Sequence, residues 1–215
     1  MPYAEIAQTN KNKIRILYLF MDCGSGHRVP CIALSSYLRE FCCKEYSATI
    51  CDFTSDLSYR KIDVVFKSFW RFYLRHRWLY KVVHRCTDVV WFSSIWYSLL
   101  FRFAENKLLT YILKLNPEIV ICTSPNVLWL LDKFKRRRQI DIPVVAFNTD
   151  AFTVHSKWCA PNIDMHLIST TEGKNALLAK GIALSKIYEI PYLIRPTFIN
   201  YYRSNQNRSQ YKSKI

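Results

Sequence analysis

The sequence predicts an α/β fold with a doubly wound, mostly parallel sheet, and three observations predict it. Short β-branched runs alternate with longer helical patterns from residue 14 to residue 190. The runs are apolar throughout rather than alternating, as strands covered on both faces must be. The first run leads into Gly24-Ser25-Gly26-His27, so half of the chain's four glycines fall in one turn.

In chain order the strand candidates are Ile14–Phe20, Ala48–Phe53, Glu118–Thr123, Pro143–Asn148, Met165–Ser169 and Ile187–Ile190. Helical patterns lie between them at Arg28–Phe41, a long region Lys61–Leu115, Asn126–Arg138 and Glu172–Lys180, with Gly181 as a stop. The order is β-α-β-α-α-β-α-β-β-α-β, without an internal repeat. Residues 1–13 read as a polar N-terminal extension, 14–198 as one Rossmann-like domain with an inserted long helical region, and 199–215 as a basic polar tail expected to fray.

Composition narrows the function. The chain has 215 residues, 50% of them hydrophobic, which excludes disorder for most of its length. Its 31 Lys and Arg against 16 Asp and Glu leave a formal charge of +15, which calls for an anionic partner: nucleic acid, anionic lipid or a phosphate-bearing substrate. Eight cysteines form no C-x-x-C pair and read as reduced, mostly buried thiols of a cytoplasmic protein. No clustered ligand spacing points to a metal. The N-terminus has no secretory pattern, and the longest nearly apolar stretch, Val89–Phe101, falls short of the roughly 20 residues a membrane span needs. Membrane contact is therefore expected to be peripheral, without a transmembrane helix.

Three strand ends carry candidate chemistry. Gly24, Ser25, Gly26 and His27 follow the first strand, where ligands of open parallel sheets bind. The two glycines admit close backbone approach, and the following helix start favours an anion. The third glycine of a dinucleotide fingerprint is missing, so the turn reads equally as a tight turn with an incidental histidine. Thr123 and Ser124 end another strand, and Asp150, His155 and Trp158 gather in the loop "FNTDAFTVHSKW" after a third. A carboxylate and an imidazole at such an edge can hold or deprotonate a hydroxyl; the bland alternative is an Asx-type turn with a surface histidine.

On a helical wheel, residues 61–85 place Ile62, Val65, Phe66, Phe69, Phe72, Tyr73, Leu79, Tyr80 and Val83 in one core-facing stripe. Lys67, Arg71, Arg75, Arg77, Lys81 and Arg85 fall on the other face, with Trp70, Leu74 and Trp78 among them. Indoles amid cations suit an anionic headgroup region, the membrane-binding residues being Lys67, Trp70, Arg71, Arg75, Trp78 and Lys81. A solvated basic face is the alternative. Nucleic acid would use similar chemistry, but no recognition motif appears. The run Lys133 to Arg138 reads as a solvated helix end.

The chain resembles the N-terminal half of the monogalactosyldiacylglycerol synthases and processive diacylglycerol glucosyltransferases over residues 14 to 198. Gly24-Ser25-Gly26-His27, Pro117 to Ile121 leading to Thr123-Ser124-Pro125, Thr149-Asp150 with His155 and Trp158, Gly181-Ile182, Ile190-Pro191 and Arg195 to Phe198 carry the resemblance. It implies the acceptor and membrane-binding half of a two-domain GT-B glycosyltransferase that moves a hexose from a UDP-sugar to diacylglycerol. His27 and Asp150 would be the catalytic pair. Gly24, Ser25, Gly26, Thr123, Ser124, His155 and Trp158 would bind substrate. No cofactor is called for beyond the UDP-sugar as co-substrate. Two departures stand out: Glu189 occupies the place of the family's usual glycine before Ile-Pro, and no donor-binding C-terminal domain follows. Two readings therefore remain: half of a glycolipid-synthesising enzyme, inactive without a separate donor-domain chain, or a lipid-binding module that transfers nothing.

Overall fold

The computed structural model describes residues 13–22, 25–41, 46–57, 75–88, 90–194, 197–199 and 201–202, together with 64, 67–68 and 71–72. Its strands are β1 (Ile14–Phe20), β2 (Tyr46–Asp52), β3 (Ile119–Cys122), β4 (Val144–Phe147), β5 (Met165–Ile168) and β6 (Ile187–Glu189). They form one sheet in the order β2-β1-β3-β4-β5-β6, every neighbouring pair parallel. Each predicted strand is present, with ends shifted by a residue or two. The second starts earlier, at Tyr46, because its pairing with Ile14 begins there.

Alternate residues feed two apolar layers. Ile16, Tyr18, Phe20 and Ile121 pack with Cys31 of helix α1 (Ser25–Phe41) on one face. Leu17, Leu19, Val120, Cys122, Val144 and Ala146 point to the other. There they meet α3 (Val90–Leu115) and α4 (Pro125–Arg136) through Phe101, Leu108, Ile112, Val127 and Leu131. Covering both faces is what the unbroken apolar strands required. Cys31, Cys51 and Cys122 are free and buried, and Cys159 is free and half-buried.

The basic run after residue 132 departs from the expected solvated helix end. Lys133 is buried and pairs with Glu105 at 2.5 Å, and Lys135 pairs with Asp164 at 3.0 Å. A carboxylate on α3 draws the first of these cations inward, where burial without a partner would be prohibitive. Arg136, Arg137 and Arg138 stay exposed.

Helix α5 (Thr171–Ala179) ends as the glycine predicted. Gly181 adopts φ 90°, its N–H bonds Leu178 O at 2.9 Å, and that of Ile182 bonds Leu177 O at 3.1 Å. This is a Schellman stop, and Leu177 and Ile182 on either side of it are both buried in one apolar cluster.

The long helical region resolves into α2 (Arg77–Thr87) and α3. Phe72, expected in the core stripe, is instead 54% exposed; its ring rests on His76, 4.6 Å between centroids, one helical turn on. Leu79 and Val83 are half-buried, as the stripe requires. Ile62, Val65, Phe66, Phe69, Trp70, Tyr73 and Leu74 lie outside the described residues, as do Gly24 and the side chains of Ser25, Arg77 and Tyr80. Residues 197–199 and 201–202 are helical, so the segment expected to fray carries some helix at its start.

Candidate functional site

β1 has β2 on one side and β3 on the other, which makes the β1–β3 boundary the point where the winding of the sheet reverses. Ligands of open parallel sheets bind beyond the carboxyl ends of the strands at that point. His27 sits there, in the first turn of α1. Its carbonyl accepts from the Thr123 hydroxyl at 2.8 Å, so the buried end of β3 braces the start of α1. Its imidazole crosses to the loop after β4, with Nδ1 3.1 Å from the Thr149 hydroxyl. The ring also meets Trp158 edge-on, centroids 6.3 Å apart.

Burial pushes the pKa of His27 below 6.5, against the opposing charge of Asp150, a hydrogen bond at Thr123 and the charge of Asp22. The ring is thus neutral at pH 7. In the tautomer that donates Nδ1–H to Thr149, Nε2 keeps a lone pair and can take a proton.

Asp150 reaches His27 through its field. Its Oδ2 accepts from the indole N–H of Trp158 at 2.8 Å, and Trp158 is fully buried. A buried indole needs such an acceptor, so one bond satisfies Trp158 and orients Asp150. The buried His155 faces elsewhere: its Nδ1 accepts from the Lys157 N–H at 3.1 Å and lies 3.9 Å from Asp88. Gly26 is exposed, and a Cβ built on it would meet nothing within 4 Å.

Among the described residues, several buried polar atoms at the same edge have no hydrogen-bond partner: Ser124 Oγ, Asn126 Oδ1, both carboxamide atoms of Asn148, and Ser169 Oγ. Ser124 stands at the N-cap of α4 without using its hydroxyl as a cap. Unpartnered buried groups cost about 1–3 kcal/mol each, so this edge carries a hydrogen-bonding capacity that the fold does not consume.

Of the basic helical region, Arg71, Arg75, Lys81 and Arg85 are exposed and Lys67 is half-buried. Trp78 is 68% exposed, and Val82, one turn on, is exposed with it. Apolar and cationic side chains therefore share the outer face of α2. No helix among the described residues is long and apolar enough to cross a membrane. Nor do three metal-binding side chains gather among them.

Sequence reasoning missed the residues that hold the loop after β4. Thr149 stood in a matching motif without a role. Thr170 caps α5 by accepting from Gly173 N at 3.0 Å and donates its proton to Ala151 O. A Cβ on Gly173 would lie 2.9 Å from that same carbonyl and 2.7 Å from Ile168 Cγ1, so only glycine fits. A lone glycine inside a helical pattern was the available signal. Asp88 had none, because its partners lie 68 and 92 residues away.

Residues 27–190 match the monogalactosyldiacylglycerol (MGDG) synthase family. A probable monogalactosyldiacylglycerol synthase 2 of Oryza sativa is 27% identical over 187 residues, which are 85% of this chain and 39% of that protein. A processive diacylglycerol beta-glucosyltransferase of Bacillus cereus is 24% identical over 186 residues, 86% of this chain and 46% of its own length. The solved lipopolysaccharide outer core galactosyltransferase WaaB overlays 83% of the chain with a TM-score of 0.49 and 13% identity. The chain spans less than half the length of the curated relatives named here. With its glycine turn, its strand-end threonines and a family match across three quarters of its length, the chain belongs to the monogalactosyldiacylglycerol synthase family.

Proposed function

We propose that this chain is the acceptor half of a diacylglycerol hexosyltransferase working at a membrane surface. The observation that carries this reading is His27: a neutral imidazole at the switch point, its Nδ1 held by Thr149 and its ring edged by Trp158. In the reaction the acceptor hydroxyl oxygen bonds to the anomeric carbon of a UDP-hexose, the bond to the diphosphate breaks, and UDP departs. His27 Nε2 takes the hydroxyl proton. Asp150 stabilises the imidazolium that results, since its charge already favours that form. Gly24, Ser25, Gly26, Thr123 and Ser124 frame the acceptor's polar head. Trp158 and His155 shape the loop that closes beside it.

The exposed cations of residues 71–85, with Trp78, meet an anionic bilayer at about 1 kcal/mol per cation near the surface. The working location is then the cytoplasmic membrane face. Nucleic acid is the weaker partner, because charge alone speaks for it.

Transfer also needs the donor gripped and its leaving diphosphate stabilised. The residues that match, under half of each relative's length, supply the acceptor side. A polypeptide of these 215 residues alone should give no appreciable glycolipid from UDP-glucose or UDP-galactose and diacylglycerol, and adding a donor-domain chain of the family should restore transfer. In that restored assay His27→Ala lowers the rate about 10²–10⁴-fold, the usual worth of a positioned base. Radiolabelled-sugar transfer on purified protein decides it. Robust product from the chain alone, or an active His27→Ala, overturns the reading. The second reading, a lipid-binding module without transfer, gains if every donor chain fails while vesicle binding persists.

A further inference from the structure

A second anchor of the site loop comes from outside the sheet. Asp88 directly follows α2, and its Oδ1 accepts from the Ser156 N–H at 2.7 Å and from Lys180 Nζ at 2.9 Å. The Ser156 hydroxyl lies 2.7 Å from both Asp88 O and Asp88 Oδ1, and it accepts from Lys180 Nζ at 2.9 Å. The His155 imidazole lies 3.9 Å from the same carboxylate. Burial raises the pKa of Asp88, but the hydrogen bonds from Lys180 and Ser156 and the charge of His155 outweigh it and hold the carboxyl far below its ordinary range. One side chain thus gathers the end of α2, the end of α5 and the start of the 3-10 turn Ser156–Trp158.

The same turn places Trp158, which holds Asp150 and edges His27. A short run of contacts therefore leads from the cationic helix to the imidazole: α2, Asp88, Ser156, Trp158, His27. We propose that Asp88 is a positioning residue that ties the membrane-facing helix to the acceptor pocket, so that Trp158, Asp150 and His27 keep their geometry relative to α2. This inference rests on reading the His27 pocket as the acceptor site. Hydrogen bonds to an ionised carboxylate are the strong kind, and supporting bonds of this sort orient the groups that do chemistry.

The test needs neither sugar nor donor, so its failure is distinct from failure of the functional reading. Wild type, Asp88→Ala, Asp88→Asn and Ser156→Ala are compared as full chains. Three signals are read: the NMR titration midpoint of His27, the Trp158 indole N–H resonance, and cosedimentation with phosphatidylglycerol–phosphatidylcholine vesicles. Asp88→Ala should move the indole resonance and raise the His27 midpoint toward 6.5, because a loosened loop admits water to the ring. Vesicle affinity should stay within about twofold, since the α2 cations are intact. Asp88→Asn still accepts from Ser156 and should shift both signals less. If Asp88→Ala does not fold, Ser156→Ala carries the same expectation in milder form. An unmoved His27 midpoint and indole resonance in a folded Asp88→Ala or Ser156→Ala protein overturns the proposal. So does a tenfold loss of vesicle binding with both signals unchanged.

Discussion

The turn after β1 and the loop after β4 meet at His27, yet the chain holds them in opposite ways. The loop is fastened along its length: Thr149 to His27, Asp150 to Trp158, Ala151 to Thr170, and Ser156 to Asp88. The turn is held at its flanks, by Thr123 on the His27 carbonyl and by Arg28, 3.6 Å from Asp22. A Cβ built on Gly26, between those flanks, would meet nothing within 4 Å. A loop whose polar groups are consumed by its own structure acts as a wall. A helix start with open space at Gly26 offers itself to a ligand.

The sharpest way to break the wall is Gly173→Ala. The new Cβ would lie 2.7 Å from Ile168 Cγ1 and 2.9 Å from Ala151 O. An isoleucine branch can rotate, but the carbonyl belongs to the fastened loop and cannot withdraw without losing its Thr170 bond. Overpacking of this kind costs about 1–3 kcal/mol. Urea denaturation should show a loss of about 2 kcal/mol. A loss under about 0.5 kcal/mol would show that the loop gives way easily and is no wall.

Acid titration compares the two regions by charge. His27 in the turn and His166 on β5 beneath the loop both have pKa values lowered below 6.5, in each case chiefly by burial. His166 is fully buried, and its Nε2 meets Ala160 O at 3.0 Å. Both rings are neutral in the fold, whereas the unfolded chain binds protons at about 6.5, so the unfolded state binds more protons below that pH. Stability contributed by the neutral rings is complete above about 6.5. It is lost as pH falls from there to the folded values, at up to about 1.4 kcal/mol per pH unit for each ring. Thermal unfolding between pH 7 and pH 5 should show this slope, and His166→Gln should flatten it. An unchanged slope would mean that the His166 ring is already charged or hydrated in the fold.

How much of this was legible depended on the range of the forces involved. All six strands and the Gly181 stop were readable, because apolar runs and a left-handed cap are written in neighbouring residues. The edge position of His27, Thr123 and Asp150 followed from strand ends alone. The partner of Asp150 did not, for a carboxylate eight residues before a tryptophan carries no sign that the two will bond. Phe72 is exposed against expectation because a wheel assigns a face without knowing which face the rest of the chain will cover. Lys133 turned inward because Glu105, on another helix 28 residues away, supplies the compensating charge. Helical period sets orientation; long-range charge pairing then overrides it at single positions.

The gentlest probe is Gly26→Ala, and it separates the two regions most cleanly. Gly26 lies in the first turn of α1, a Cβ there has open space, and its φ is not positive, so alanine fits without strain. Replacing glycine at a compatible site narrows the unfolded ensemble and stabilises by about 0.4–1 kcal/mol. The same methyl would stand where the turn faces a ligand, and the usual reason for glycine there is close backbone approach. Stability and binding should therefore move in opposite directions: a gain of about 0.5 kcal/mol in urea denaturation, with a several-fold drop in binding of a short-chain diacylglycerol. Isothermal titration on the two proteins reads the second effect. If alanine raises stability and leaves binding unchanged, the glycine is incidental, and the acceptor approaches His27 from the Trp158 side instead.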